Sequence, residues 1–136
     1  MRVEVVSPER VLFSGEATMV LTRTLEGEIA FQANHAPFLG VLTENHTKIF
    51  LVDGGVQDVA VHGGFVEVSN NKVSILSDGA ELADEIDADR ARRARDRADE
   101  MTRHEDDGEA EAALRRAHAR LSAVGGLGAT GSAATH

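Results

Sequence analysis

Before Ala80 the apolar residues recur with a period near two, and after it they recur at spacings of three and four. In the first region Val3 and Val5 alternate with Glu4, and Val11 and Phe13 follow a break at Pro8. Segments 19–24, 28–33, 48–53 and 56–61 are rich in strand formers. The run VHGGFVEVSNNKVSIL, 61–76, predicts two strands about a tight turn at Asn70 and Asn71, because Asn tolerates positive φ. Phe65, Glu67 and Ser69 then point one way, Val66 and Val68 the other. Asp53, Gly54 and Gly55 separate two apolar runs, and Gly63 with Gly64 supplies a pivot. Short strands in succession predict a meandering antiparallel sandwich or barrel.

The second region predicts two amphipathic helices. Ala91, Ala94, Ala98 and Met101 form one stripe, and Ala110, Leu114, Ala117, Leu121 and Val124 the other. Asp87 and Asp107 are the expected N-caps, Gly125 the expected end, and HEDDG the connection. The division expected is a β-sandwich over 1–84, a helical hairpin over 85–124 and a disordered, small-residue tail over 125–136. An Ala methyl contributes about 0.8 kcal/mol on burial, against about 1–2 kcal/mol of backbone ordering per residue. Such a hairpin is marginal alone, so it docks on its own β domain, docks on a partner, or moves between the two.

Composition sharpens this division. All five Phe precede Ala80, which concentrates the large apolar side chains in the β region of this 136-residue chain. A net charge of −9 excludes non-specific nucleic-acid binding, and it is shared: residues 1–80 hold 5 Lys+Arg and 10 Asp+Glu, residues 81–136 hold 9 and 13. With no Cys there are no disulfides or thiolate metal sites. The opening MRVEVVSPERVLF lacks an apolar leader core, and no run approaches the roughly 18 apolar residues of a membrane span, so membrane association is expected only through a partner. His35, His46 and His62 lack metal-site spacing, and no H-E-x-x-H, G-x-S-x-G or phosphate loop occurs, which leaves a composite Ser-His-Asp site as the one catalytic option.

The segments GEIAFQANHAPFL, VHGGFVEVSNNKVSILSDGAELADEIDADRA and AALRRAHARLS resemble the ε subunit family of bacterial F-type ATP synthase, from about Val3 to about Val124. The resemblance implies a sandwich of about ten strands followed by a two-helix hairpin. It implies a non-catalytic rotor-stalk subunit bound to γ and the c-ring at the cytoplasmic side of the cell membrane. The hairpin would fold against the sandwich or extend along γ toward the α/β catalytic hexamer, where it restrains ATP hydrolysis. Where many members read G-I-[LY]-P-G-H-A-P, this chain reads AFQANHAP, and Asn34 is expected to take the left-handed conformation. The alternative function is a free-standing ATP-sensing regulatory domain.

Three groups are candidate sites. IDADRA, 86–91, resembles the I/L-D-x-x-R-A nucleotide motif, so Ile86, Asp87, Arg90 and Ala91 would meet ATP as a regulatory ligand, with no cofactor required. Arg116 and Arg120, four apart, face the same way and would grip phosphate; the alternative is a helix cap with a solvated charged face. Arg115, Arg116, His118 and Arg120 make the later part of the second helix cationic, and its acids Glu109 and Glu111 lie in the first turns as the dipole favours. The resemblance makes this a contact with an acidic segment of the catalytic β subunit. Glu28 and His35, flanking the AFQAN run, would lie near γ and the c-ring.

Overall fold

The computed structural model describes residues 1–104 and 108–134, the side chains of His104 and residues 127–134 excepted. Seven strands are followed by two helices: β1 (Arg2–Val6), β2 (Val11–Thr24), β3 (Gly27–Gln32), β4 (Phe38–Leu51), β5 (Val56–Ser69), β6 (Lys72–Leu76), β7 (Glu81–Leu82), α1 (Ala88–His104) and α2 (Gly108–Ala134). The strand path β1-β6-β5-β4-β2-β3 closes on itself through a β1–β2 pairing, giving a barrel-like sandwich. All pairings are antiparallel except β1 with β6.

The expected ten or so strands are corrected to seven, because β2, β4 and β5 are each 14 residues long and bend instead of breaking. On β4 the inward position shifts from Leu42 to Asn45, Thr47 and Ile49, and on β5 from Val59 and Val61 to Val66 and Val68. The two shifts face each other, since Leu42 pairs with Gly64 and Glu44 with His62. Gly63 and Gly64 absorb the bend at φ 85° and 111°. A side chain at Gly64 would strike the Leu76 carbonyl and lie 2.9 Å from Ser77 Cα. β4 also bulges against β2, where residues 22 and 23 face residues 43–47. The bulge is floored by Thr22, Asn45 and Thr47, joined by bonds of 2.7 Å (Thr47 to Asn45) and 2.8 Å (Thr22 with Thr47). A strand half that buries hydroxyls and an amide carries no apolar alternation, which is why 38–47 escapes a hydrophobic reading.

The turns follow expectation. Asn70 and Asn71 sit at φ 52° and 61°, Asn34 at 63°, and Gly54 at 96° between β4 and β5. Phe31, Ile49, Ile75 and a set of valines fill the barrel with no exposure above 2%. Asp87 caps α1, accepting the Arg90 N–H at 3.0 Å. The expected cap Asp107 lies outside the described residues. α2 runs through Gly125 to Ala134, so the segment expected to be a disordered tail continues the helix that far. Residues 135–136 are outside the described residues.

Candidate functional site

The site is the seam along which α2 lies on the outer face of β4 and β5. α1 packs on α2, so the hairpin is held to the barrel chiefly through its second helix. The sequence stripe of α2 proves to be the half turned toward α1, where Ala110 and Ala117 are buried together with Ala91 and Ala98. A second stripe, Ala119 and Ala123, is buried against Ala60 of β5 and Ala83 of the 3-10 turn Ala83–Glu85, with Ile86 alongside. Met101, expected on the stripe of α1, is 45% exposed.

Small residues let backbone approach the sheet, and three polar pairs cross the gap. His46 Nε2 donates to Asp58 Oδ1 at 2.6 Å while its Nδ1 lies 2.9 Å from Ser122 Oγ. The Asp58 side chain is wholly buried, and a Cβ on Gly126 would come within 2.7 Å of its Oδ1 and 2.8 Å of His46 Nε2. One turn away, Glu81 Oε1 accepts from His62 Nε2 at 2.9 Å and from Arg120 Nε at 2.6 Å. The His62 hydrogen bond is the main reason that Glu81 sits at about 2 instead of 4.5; burial opposes it, and Arg120 adds to it by hydrogen bond and charge. Because the carboxylate only accepts, His62 carries its hydrogen on Nε2, and its buried Nδ1 has no partner among the described residues. At the other end of the seam Arg115 Nε meets Glu44 at 3.3 Å.

The residues expected to meet ATP separate into two roles. Ile86 and Ala91 pack, Asp87 caps, and Arg90 is exposed. Arg116 and Arg120 are engaged by Glu109 at 2.9 Å and Glu81 at 2.6 Å. Among the described residues no hydrogen bond or ion pair joins either arginine to Asp87 or Arg90. Glu28 lies near the start of β3 and His35 beyond its end: Glu28 lines a cleft beside α2, whereas His35 stacks edge-on to Phe31 at 5.0 Å. The sequence reading missed His46, Asp58, His62, Glu81, Ser122 and Gly126. Its available signal was the small-residue series Ala119, Ala123, Gly126, which continues helical spacing on a face other than the leucine stripe.

Residues 1–83 match the family model described as ATP synthase, Delta/Epsilon chain, beta-sandwich domain. An ATP synthase epsilon chain of Streptomyces avermitilis is 47% identical over 124 residues, covering 91% of this chain and 94% of that one. One of Shouchella clausii is 38% identical over 131 residues, covering 95% and 98%. In fold, the chain resembles a chain of the Euglena gracilis mitochondrial ATP synthase in an OSCP/F1/c-ring structure, with TM-score 0.76, 21% identity and coverage of 90% and 79%.

Proposed function

The chain belongs to the ATP synthase delta/epsilon family, and from that membership we propose that it is the non-catalytic rotor-stalk subunit that couples γ to the c-ring and restrains ATP hydrolysis with its hairpin. It would lie at the cytoplasmic side of the membrane through that complex; no helix among the described residues is long and apolar enough to cross one.

The observation that carries the mobile-hairpin reading is the chemistry of the seam. Four alanines and a handful of polar bonds hold α2 to the barrel, and among the described side chains no large apolar one is buried between them except the half-buried Ile86. At about 0.8 kcal/mol per buried CH2 the alanines contribute only a few kcal/mol, a magnitude a partner can outbid. Released, Arg115 and Arg120 would exchange Glu44 and Glu81 for carboxylates of the catalytic β subunit. ATP, bound by Asp87, Arg90, Arg116 and Arg120, would favour the docked form, and its phosphates would have to displace Glu81 and Glu109 from the two arginines.

A fixed interface needs a different surface, and one is present. Leu25, Leu39, Val41 and Phe65 line one groove and are 71%, 71%, 43% and 52% exposed. Val41 pairs with Phe65 and Phe65 with Leu76, so the apolar stripe crosses three strands away from α2. Affinity purification of the tagged chain from its own cells tests the reading: γ, α and β should copurify in stable proportion. Purification without them, with ATP still raising the melting temperature, favours the free-standing ATP sensor.

A further inference from the structure

Between the β4 bulge and α2 lies an open cleft of about 500 Å³, lined in part by the seam residues Glu44, His46, Arg115 and Ser122 and by none of the proposed ATP residues. Arg23 and Lys48 enter it from the sheet, Arg115 and His118 from α2, and the acids along it are Glu28 and Glu44. Arg115 is paired with Glu44. Arg23, Lys48 and His118 make no salt bridge among the described residues; Glu28 stands opposite Arg23 in the β2–β3 ladder without pairing to it. Three permanent cations line the cleft with two carboxylates, and a third carboxylate, Asp58, is buried behind His46 and bonded to it. The floor residues Thr22 and Asn45 bond to each other and to their neighbours.

We propose that this cleft binds a small phosphoryl dianion or pyrophosphate group, which ties α2 to the sheet. Docking the helix sets Arg115 on the same cleft as Arg23 and Lys48, and an anion bound among these like charges offsets their repulsion. Each cation then gains a charge-assisted hydrogen bond. The volume falls in the range of small-ligand sites, roughly 300–1,000 Å³. The face of α2 involved carries residues 115, 118, 119 and 122, whereas the proposed ATP contacts use 116 and 120. Ligand binding to the docked form alone also shifts the hairpin equilibrium by mass action.

The test uses the full chain without magnesium, titrated with inorganic phosphate, pyrophosphate and AMP at ionic strength held constant with sodium chloride. Calorimetry gives affinity, and amide NMR maps the site. Saturable binding of pyrophosphate, tighter than phosphate, is expected, with shifts centred on Arg23, Lys48 and His118 and slower amide exchange along α2. AMP should bind no more tightly than phosphate if the phosphoryl group carries recognition. The double variant Arg23→Gln, Lys48→Gln should weaken pyrophosphate at least tenfold, Arg23→Lys should keep most of it, and Arg90→Ala should leave it unchanged. That last arm separates this site from the ATP reading. No saturable effect in the wild type, shifts centred on Arg90, or binding by AMP alone would overturn the proposal even if the double variant proved unstable.

Discussion

At the scale of residues, Glu81 is where the barrel and the hairpin are joined by charge. Its carboxyl is held at about 2, chiefly by His62, which belongs to the barrel, and further by Arg120, which belongs to the hairpin. A depressed carboxyl stabilises the state that depresses it above its ordinary value and loses that effect as pH falls through the lowered one. His62 lowers Glu81 whether or not the hairpin is docked, so only the Arg120 share belongs to docking; that share is present above about pH 4.5 and disappears as pH falls toward about 2. Carboxyl NMR titration should show Glu81 rising toward its ordinary value in Arg120→Ala, and rising further in His62→Ala, because the His62 bond is the larger cause. A wild-type Glu81 that titrates near 4.5 sinks the triad; one unmoved by Arg120→Ala means that α2 does not lie on it. The carboxyl thus serves as a reporter of the hairpin's position.

At the scale of elements, α2 has two working faces, and only one was legible. The leucine and alanine stripe could be read because it follows helical spacing with large members, Leu114, Leu121 and Val124. The sheet-facing stripe was illegible because alanine and glycine carry little hydrophobic signal, and because Ser122 and Arg115 interrupt it. The long strands were read in halves for a related reason: the bend at Gly63 and Gly64 shifts the inward positions, so one alternation ends and another begins. The tight turns were readable since Asn at positive φ is a local property. The small-residue face predicts that Gly126→Val, which puts branched carbon against His46 and Asp58, lifts the end of α2 from the sheet. Amide exchange along α2 should accelerate several-fold while the barrel strands keep their protection. Gly126→Ala should do the same to a lesser degree. Unchanged exchange in the valine variant would show that α2 does not approach the sheet this closely.

At the scale of the molecule, the proposed function has the arginines of α2 serve two competing positions, and this makes the sign of a mutation informative. The cationic face was legible in the sequence, but its docked partners were not, since Glu44 and Glu81 lie 71 and 39 residues from Arg115 and Arg120. In the docked form those carboxylates occupy the arginines; in the extended form an acidic segment of the catalytic β subunit would do so. Removing the sheet-side acids by Glu44→Gln and Glu81→Gln takes from the docked form its ion pairs to α2, while the loss of the Glu81 charge beside His62 falls on both forms alike. Two partly exposed pairs are worth about 0.2–1 kcal/mol each, so the double variant should shift the hairpin outward by roughly two- to thirtyfold and strengthen inhibition of ATPase activity in the assembled complex. Arg115→Ala, Arg116→Ala and Arg120→Ala together remove contacts from both forms. They should nevertheless release hydrolysis several-fold, because the docked helix keeps its alanine seam and its His46 contact while the extended form loses its charge-assisted contacts. Lys at the three positions should preserve part of the inhibition and Gln should not, and added salt should narrow the difference between wild type and the Ala variant. ATPase assays at low salt, with assembly confirmed by copurification, read both arms. Opposite effects from the acid and arginine variants establish that one set of cations is exchanged between barrel and motor. Release by both would mean that the docked acids support the brake, and no effect from the arginine variant would place any brake elsewhere on the hairpin.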